Sequence, residues 1–135
     1  TKKTTLYSKI YSNNLRDYDV LIIDNIGLLT RIYSYADIAY VGGGFSTGLH
    51  NTLEPAVFGI PVIIGPNYDG FIEAEDLVKQ KGIYPIKDQW TFGELLKKFL
   101  DSPEFRKKTG EINANYISKN KGASMEIMSH IKAFI

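Results

Sequence analysis

Short apolar, β-branched runs alternate along the chain with longer amphipathic segments, and this alternation is the feature that most restricts the fold. Some runs, such as VII at residues 62–64, are apolar at every position, as strands of a parallel sheet covered on both faces are. The predicted strands lie at residues 5–10, 20–23, 38–41, 62–64 and 83–86. Strands that alternate with helices predict an α/β fold, a doubly wound parallel sheet flanked by helices.

The predicted helices have apolar residues at spacings of three and four, and they lie at residues 27–35, 52–58, 70–81 and 92–100. The remaining tail is predicted to be helical throughout. Ser102 and Pro103 have the residue types of an N-cap and a first-turn proline, and Gly122 divides the tail. A chain of 135 residues falls within the roughly 100–200 residues of one domain. Residues 1–135 are therefore expected to form a single domain.

The composition disfavours several classes of protein. Sixteen Lys and Arg against 15 Asp and Glu leave a net charge of +1, which gives no electrostatic reason to expect a nucleic acid as partner. Cysteine is absent, so a disulfide scaffold, a thiolate zinc site and a Cys nucleophile are excluded. Every apolar run is far shorter than the roughly 20 residues that cross a bilayer, so no transmembrane segment is expected.

Two glycine-containing segments directly follow predicted strands. The first is DNIG at residues 24–27, and the second is GGGFSTGLHNTLEPA at residues 42–56. Doubly wound sheets bind ligands at the carboxyl ends of their strands, so both segments are expected at the binding edge. Glycine lets the backbone come close to an anion and point N–H groups at it, and the start of the next helix adds a favourable dipole. The sequence therefore predicts a phosphate site.

The second segment matches neither of the common nucleotide-binding loops. It is not G-x-G-x-x-G, and it lacks the lysine of G-x-x-x-x-G-K-[ST], which disfavours a dehydrogenase or an NTPase. Glu54 follows Asn51 by three residues. If Asn51 caps the helix, Glu54 lies in its first turn, where a carboxylate can accept two hydrogen bonds from a ribose diol.

A purely structural interpretation of the same residues stays open. Asn-x-x-Glu is also the pattern of a capping box, Pro55 is tolerated in a first helical turn, and the glycines could form only a tight loop. His50 alone specifies no reaction without a partner acid or nucleophile, so a structural hydrogen bond is expected of it. Asp24 is expected to cap the helix that follows rather than to touch a ligand.

Three stretches of the chain resemble the carboxyl-terminal half of the 3-deoxy-D-manno-octulosonic acid (Kdo) transferases. They are VLIIDNIGLL, YSYADIAYVGGGFSTGLHNTLEPAVFGIPVIIGP and FIEAEDLVKQKG. The Asp-x-x-Gly motif of that family falls on Asp24 and Gly27, and its Gly-Gly pair falls on Gly42 and Gly43. Its Gly-x-His-Asn-x-Leu-Glu-Pro segment falls on Gly48, His50, Asn51, Leu53, Glu54 and Pro55. In these two-domain GT-B enzymes, the second, Rossmann-like domain binds the donor CMP-Kdo.

The resemblance implies a role for each matched residue. The backbone of Ile26, Gly27 and Leu28 would face the cytidine, while Asn51 and Glu54 would bind the phosphate and ribose of the donor. Gly42, Gly43 and His50 complete the implied donor site. The chain departs from the family at Leu28, where an acid is usual, and at Leu49, where a second glycine is usual.

The resemblance also implies an activity for a longer protein. That protein would be an inverting glycosyltransferase without metal or other cofactor, which transfers Kdo from CMP-Kdo to a lipid A precursor, lipid IV-A, in lipopolysaccharide synthesis. The implied amino-terminal domain would bind the lipid and supply the catalytic carboxylate, so no catalytic residue is expected in this chain and the chain alone should be inactive. The implied location is the cytoplasmic face of the bacterial inner membrane.

Two other functions fit the same residues. A glycine loop followed by an acidic helix start also suits a GT-B enzyme that uses a UDP- or GDP-sugar, or a nucleotide-sugar epimerase. A non-enzymatic α/β interaction domain, in which the glycine loop is only structural, is the more distant alternative. The first predicts a preference for another nucleotide, and the second predicts no nucleotide binding.

Overall fold

A computed structural model of the chain describes residues 1–12, 14–46, 48–132 and 134. The described residues group into two compact units, unit 1 at Thr1–Tyr35 and unit 2 at Ala36–Ile135. Each unit has its own parallel sheet, with two strands in unit 1 and three in unit 2. The predicted α/β class is confirmed, since both sheets are parallel and helices follow their strands.

Unit 1 is built on a two-stranded parallel ladder. β1 spans Thr4–Leu6 and β2 spans Val20–Ile22, and the register pairs residues that are 16 apart, from Thr4↔Val20 to Leu6↔Ile22. The prediction of a strand up to residue 10 is wrong, because the chain leaves the ladder after Leu6. The other elements of the unit are the 3₁₀ helices Tyr7–Ser12, Leu15–Asp17 and Tyr33–Tyr35, and the helix α1 at Leu29–Ile32.

The strand β2 is more exposed than its apolar sequence predicts. Val20, Leu21 and Ile22 keep 41–46% of their surface accessible. The other elements of unit 1 are one partner strand and helices of no more than six residues, which offer little apolar surface to pack against. The prediction of a strand buried on both faces fails here.

Unit 2 contains the better buried sheet. Its strands are β3 at Ala39–Val41, β4 at Val62–Ile64 and β5 at Ile83–Pro85, hydrogen-bonded in that order. The middle strand, β4, has all three side chains fully buried. Continuous burial of a strand follows from its position between two parallel neighbours with helices packed on the sheet. The three strands predicted for this part of the chain are confirmed, with ends that differ by at most one residue.

The helices of unit 2 follow the predicted order. They are α2 at Leu53–Ala56, α3 at Ile72–Gln80, α4 at Gln89–Asp101, α5 at Pro103–Asn120 and α6 at Ala123–Lys132. Ser102 caps α5 through its side chain, which accepts from the Phe105 amide, and Pro103 occupies the first turn, as the sequence predicts. The predicted helix at 52–58 shortens to a single turn, α2.

Helix α5 contacts the loops before β4 and β5 at its most buried face. The side-chain amide of Asn113 is fully buried and donates to the carbonyl oxygens of Ile60, at 2.7 Å, and Gly82, at 2.9 Å. One turn earlier, Gly110 lies so close to Gly59 that a Cβ on Gly110 would be 1.9 Å from the Gly59 carbonyl oxygen. These two residues place α5 against the amino-terminal ends of two strands.

Helix α4 begins with a reciprocal capping box. Asp88 Oδ1 accepts from the Thr91 amide at 2.7 Å, and Thr91 Oγ1 accepts from the Asp88 amide at 3.1 Å. Together these bonds satisfy two amides that the first helical turn leaves without intrahelical partners.

Replacement of Asp88 by alanine is expected to lower the melting temperature at neutral pH. Hydrogen bonds from Thr91 hold the pKa of Asp88 below its ordinary value of 3.8. A depressed pKa means that the stabilisation is present above the ordinary value and is lost as the pH falls through the lower pKa of the folded state. Thermal unfolding followed by circular dichroism should therefore show a gap between wild type and Asp88→Ala that closes below pH 3.8. The exposed Asp69, replaced in the same way, is the control and should show no such gap.

Candidate functional site

The glycine segment leaves the carboxyl end of β3 as a tight, internally hydrogen-bonded loop. The Ser46 amide donates to the Gly43 carbonyl oxygen, and the His50 amide donates to that of Gly42, both at 3.1 Å. Gly43 has a φ of +90°, and a Cβ there would lie 2.0 Å from the Gly48 carbonyl oxygen. Gly43 is therefore required by the shape of the loop itself, whatever it binds.

The loop after β3 also touches the loop after β4. A Cβ on Gly65 would lie 2.5 Å from the carbonyl carbon of Gly44, and the Asn67 amide donates to the Gly44 carbonyl oxygen at 2.9 Å. The two loops meet backbone to backbone at the carboxyl edge of the sheet, where ligands of doubly wound folds bind. Gly44 and Gly65 are therefore needed for the close contact between the two loops, as the structural interpretation of the glycine segment predicts.

Asn51 and Glu54 form a small hydrogen-bonded pair at the start of α2. Asn51 Oδ1 accepts from the Leu53 amide at 3.0 Å, and Asn51 Nδ2 donates to Glu54 Oε1 at 3.2 Å. Thr52, rather than Asn51, holds the N-cap position, so the capping box of the structural interpretation is replaced by a contact between the two side chains. Glu54 lies in the first turn, as predicted, and Asn51 fixes one of its oxygens.

A cavity of about 240 Å³ opens beside Asn51. His50, Asn51, Phe71 and Glu73 are among the residues that line it, and Glu54 is not. Glu73 lies in the first turn of α3, and its part in the cavity is a finding of the structure. The His50 amide makes the hydrogen bond to the loop, and its imidazole lies close to Gly42, with ring atom Cδ2 3.6 Å from the position of a Cβ on that glycine.

The other predicted segment belongs to unit 1. Ile26 is fully exposed, and Gly27 has a φ of +95° with open space where a side chain would stand. Leu28, which is half-buried, occupies the N-cap position of α1 without a side-chain cap. The backbone of residues 26–28 is thus accessible.

Asp24 has a different role from the one expected. Its carboxylate accepts two hydrogen bonds from Ser8, at 3.0 Å from the amide and at 2.6 Å from the hydroxyl, and these bonds lower its pKa. The expected cap on α1 is therefore wrong, because both oxygens face β1 and its continuation. Ser8 has no signal in the sequence, since its partner lies 16 residues away.

The described residues contain neither a helix that could span a membrane nor a cluster of metal-ligating side chains. Within the ranges given above, no helix is both long and apolar enough to cross a bilayer. Among those same residues, no group of three or more His, Asp and Glu side chains is close enough together to hold a metal ion.

No protein-family model matches the chain. Its curated relatives include 3-deoxy-D-manno-octulosonic acid transferases from several bacteria. The enzyme of Chlamydia muridarum is 33% identical over 123 residues, which cover 90% of this chain and 28% of the relative. That of Aquifex aeolicus is 30% identical over 132 residues, covering 83% of this chain and 36% of the relative. The chain thus spans about a third of these relatives, and the resemblance found in the sequence is confirmed.

A solved structure shares the fold. The C-terminal CMP-Kdo binding domain of WaaA from Acinetobacter baumannii superposes with a TM-score of 0.75 over 86% of this chain and 61% of that chain. The two sequences are 22% identical, so the match shows a shared fold. It agrees with the α/β architecture predicted from the alternation of strands and helices.

Proposed function

We propose that this chain, a relative of the Kdo transferases along most of its length, is the part of such an enzyme that binds the sugar donor CMP-Kdo. The observation that carries the proposal is the likeness to several named transferases over as much as 90% of the chain. The fold shared with a CMP-Kdo binding domain supports it independently.

The proposed donor site uses main-chain groups and two polar side chains. The loop at Gly42 and Gly43 is short of side chains and stands at the carboxyl edge of a parallel sheet, which suits a phosphate. Glu54 has one oxygen held by Asn51, and its second oxygen accepts no hydrogen bond from the residues described, so it is available to a ribose hydroxyl. His50 would contact the donor from the wall of the adjacent cavity.

Residues 26–28 are proposed to contribute the cytidine contact through their backbone. The exposed Ile26 and the open surroundings of Gly27 leave this main chain accessible. Leu28 replaces the acid that is usual in the family, so recognition by this loop would depend on peptide groups. No metal or other cofactor is required by this site.

The activity of the longer protein follows as part of the same proposal. It would transfer Kdo from CMP-Kdo to lipid IV-A at the cytoplasmic face of the inner membrane. This chain would supply binding and orientation of the donor, which account for a large part of enzymatic rate enhancement. The acceptor site and the general base would belong to the other part of the protein, so the chain alone should bind the donor nucleotide without turnover.

Replacement of Glu54 by alanine is expected to weaken binding of CMP by about 1–3 kcal/mol, the scale of a hydrogen bond to a charged group. Titration of the 135-residue chain with CMP, followed by NMR or calorimetry, measures this loss. Glu54→Gln, which keeps one acceptor oxygen, should lose less. The exposed Glu94 is the matched control, and Glu94→Ala should bind CMP as the wild type does.

The same titration separates the alternatives. A clear preference for UDP or GDP over CMP would favour a different nucleotide-sugar enzyme. An equal affinity of wild type and Glu54→Ala would contradict the ribose contact. Complete lack of binding to all three nucleotides would favour the non-enzymatic interaction domain.

A further inference from the structure

Asp24 continues the register of the two-stranded ladder beyond its last pair. The ladder joins residues 16 apart and ends at Leu6↔Ile22. Ser8 and Asp24 are again 16 apart, but the backbone of Ser8 has already turned into a 3₁₀ helix. The carboxylate of Asp24 bonds to Ser8 instead, so a side-chain contact replaces the backbone hydrogen bonds at the point where the ladder ends.

This contact uses the full carboxylate. Oδ1 accepts from the Ser8 amide at 3.0 Å, and Oδ2 accepts from the Ser8 hydroxyl at 2.6 Å. Hydrogen bonds to an ionised carboxylate are shorter and stronger than those between neutral groups. With each oxygen already bonded, Asp24 is suited to hold the chain in place rather than to contact a ligand.

The segment that Asp24 holds has little else to fix it. Within the residues described, no hydrogen bond involves Asn25, Ile26 or Gly27, and the chain is next held where Leu28 accepts from the amides of α1. Ile26 is fully exposed and the surroundings of Gly27 are open. The direction in which the loop leaves β2 therefore depends on the residue immediately before it.

We propose that the Ser8–Asp24 pair is a positioning device, which holds the backbone of residues 26–28 in the conformation that receives the nucleobase of the donor. The inference rests on the proposed function for the identity of the ligand. It assigns Asp24 and Ser8 no contact with the donor, and it makes Ser8 a residue on which donor affinity depends.

The opposite end of the ladder supplies a matched control. The Lys3 amide donates to Asp19 Oδ2 at 2.9 Å, which is a second aspartate contact across 16 residues. This contact closes the amino-terminal end of β2, and the binding loop follows the carboxyl-terminal end. Loss of Asp19 should therefore weaken the ladder without redirecting residues 26–28.

The experiment compares Ser8→Ala, Asp24→Ala, Asp24→Asn and Asp19→Ala in the 135-residue chain, by ¹⁵N NMR and by titration with CMP. Ser8→Ala removes the hydroxyl bond and Asp24→Ala removes both bonds, so both should shift the amide signals of residues 26–28. Both should also weaken CMP binding, by roughly five- to tenfold for Asp24→Ala and by less for Ser8→Ala. Asp24→Asn should restore most of both, because its carbonyl can accept from the Ser8 amide and its NH₂ can donate to the hydroxyl. Asp19→Ala should leave both near wild type.

Two results would overturn the inference. One is that Ser8→Ala and Asp24→Ala leave the loop signals and the CMP affinity unchanged. The other is that Asp19→Ala reproduces their effects, which would reduce the pair to general support of unit 1. If the wild type itself binds no CMP, the proposed function fails, and the loop signals alone then decide whether Asp24 positions residues 26–28.

Discussion

Replacing Asn113 by alanine is expected to lower the free energy of unfolding by about 2–5 kcal/mol. Asn113 is fully buried, and its amide is the donor to the carbonyl oxygens of Ile60 and Gly82. Its removal leaves two buried acceptors without a donor and opens a cavity between α5 and the starts of β4 and β5. Since single domains have only about 5–15 kcal/mol of stability, this is a large part of the total.

Urea unfolding followed by circular dichroism measures this loss of stability, and two further variants show whether it comes from the buried amide. Asn113→Asp keeps the size of the side chain but replaces the donor by an oxygen that faces two carbonyls, so it should be at least as damaging at neutral pH. Asn120 also donates to a carbonyl, that of Tyr116, from an exposed position on the same helix. Asn120→Ala should change stability by less than about 0.5 kcal/mol, as surface substitutions usually do. Equal effects of Asn113→Ala and Asn120→Ala would contradict the role given to the buried amide.

Alanine substitutions of two helical glycines are expected to have opposite signs. At Gly110 the new Cβ would lie 1.9 Å from the Gly59 carbonyl oxygen and 2.8 Å from its carbonyl carbon. Both are backbone atoms, so α5 or the loop must move, and we expect a net loss of about 2–4 kcal/mol. At Gly93, in α4, nothing lies within 4 Å of the added carbon. Gly93→Ala should therefore stabilise the protein by about 0.5–1 kcal/mol through helix propensity.

The same urea experiment tests this pair of substitutions. A stabilising Gly110→Ala would show that α5 is not held as close to Gly59 as the structure has it. A destabilising Gly93→Ala would show that the exposed side of α4 packs against something. Because the chemical change is the same at both positions, the difference between them isolates the packing at Gly110.

The sequence predicts the strands of unit 2 well because each is a compact apolar run bounded by turn residues. Val62–Ile64 is the clearest case, with the same limits in sequence and structure. Prediction fails where an element is too short to show a period. The helix α2 is a single turn, so its extent depends on packing rather than on a repeat that the sequence could display.

The site is predictable only in part, and for a related reason. The glycine segment and Glu54 carry local signals, and the likeness to the transferases supports the ligand proposed for them. Ser8 and Asp24 are brought into contact by the register of the β1–β2 ladder, which no local sequence pattern reveals. Asn113 looks like an ordinary polar residue of a surface helix, and its burial depends on carbonyls 53 and 31 residues away.

The contact between Gly44 and Gly65 makes the two loops at the carboxyl edge of unit 2 a mechanically coupled pair. A side chain at either position would collide with the main chain of the other. If the phosphate of the proposed donor displaced the first loop, it would also pull on the Asn67 amide and on the turn that leads into α3. A ligand bound at the loop of Gly44 would thus also affect the start of α3. For the same reason, substitution of either glycine by a larger residue is tolerated only if the loop that carries the other glycine moves.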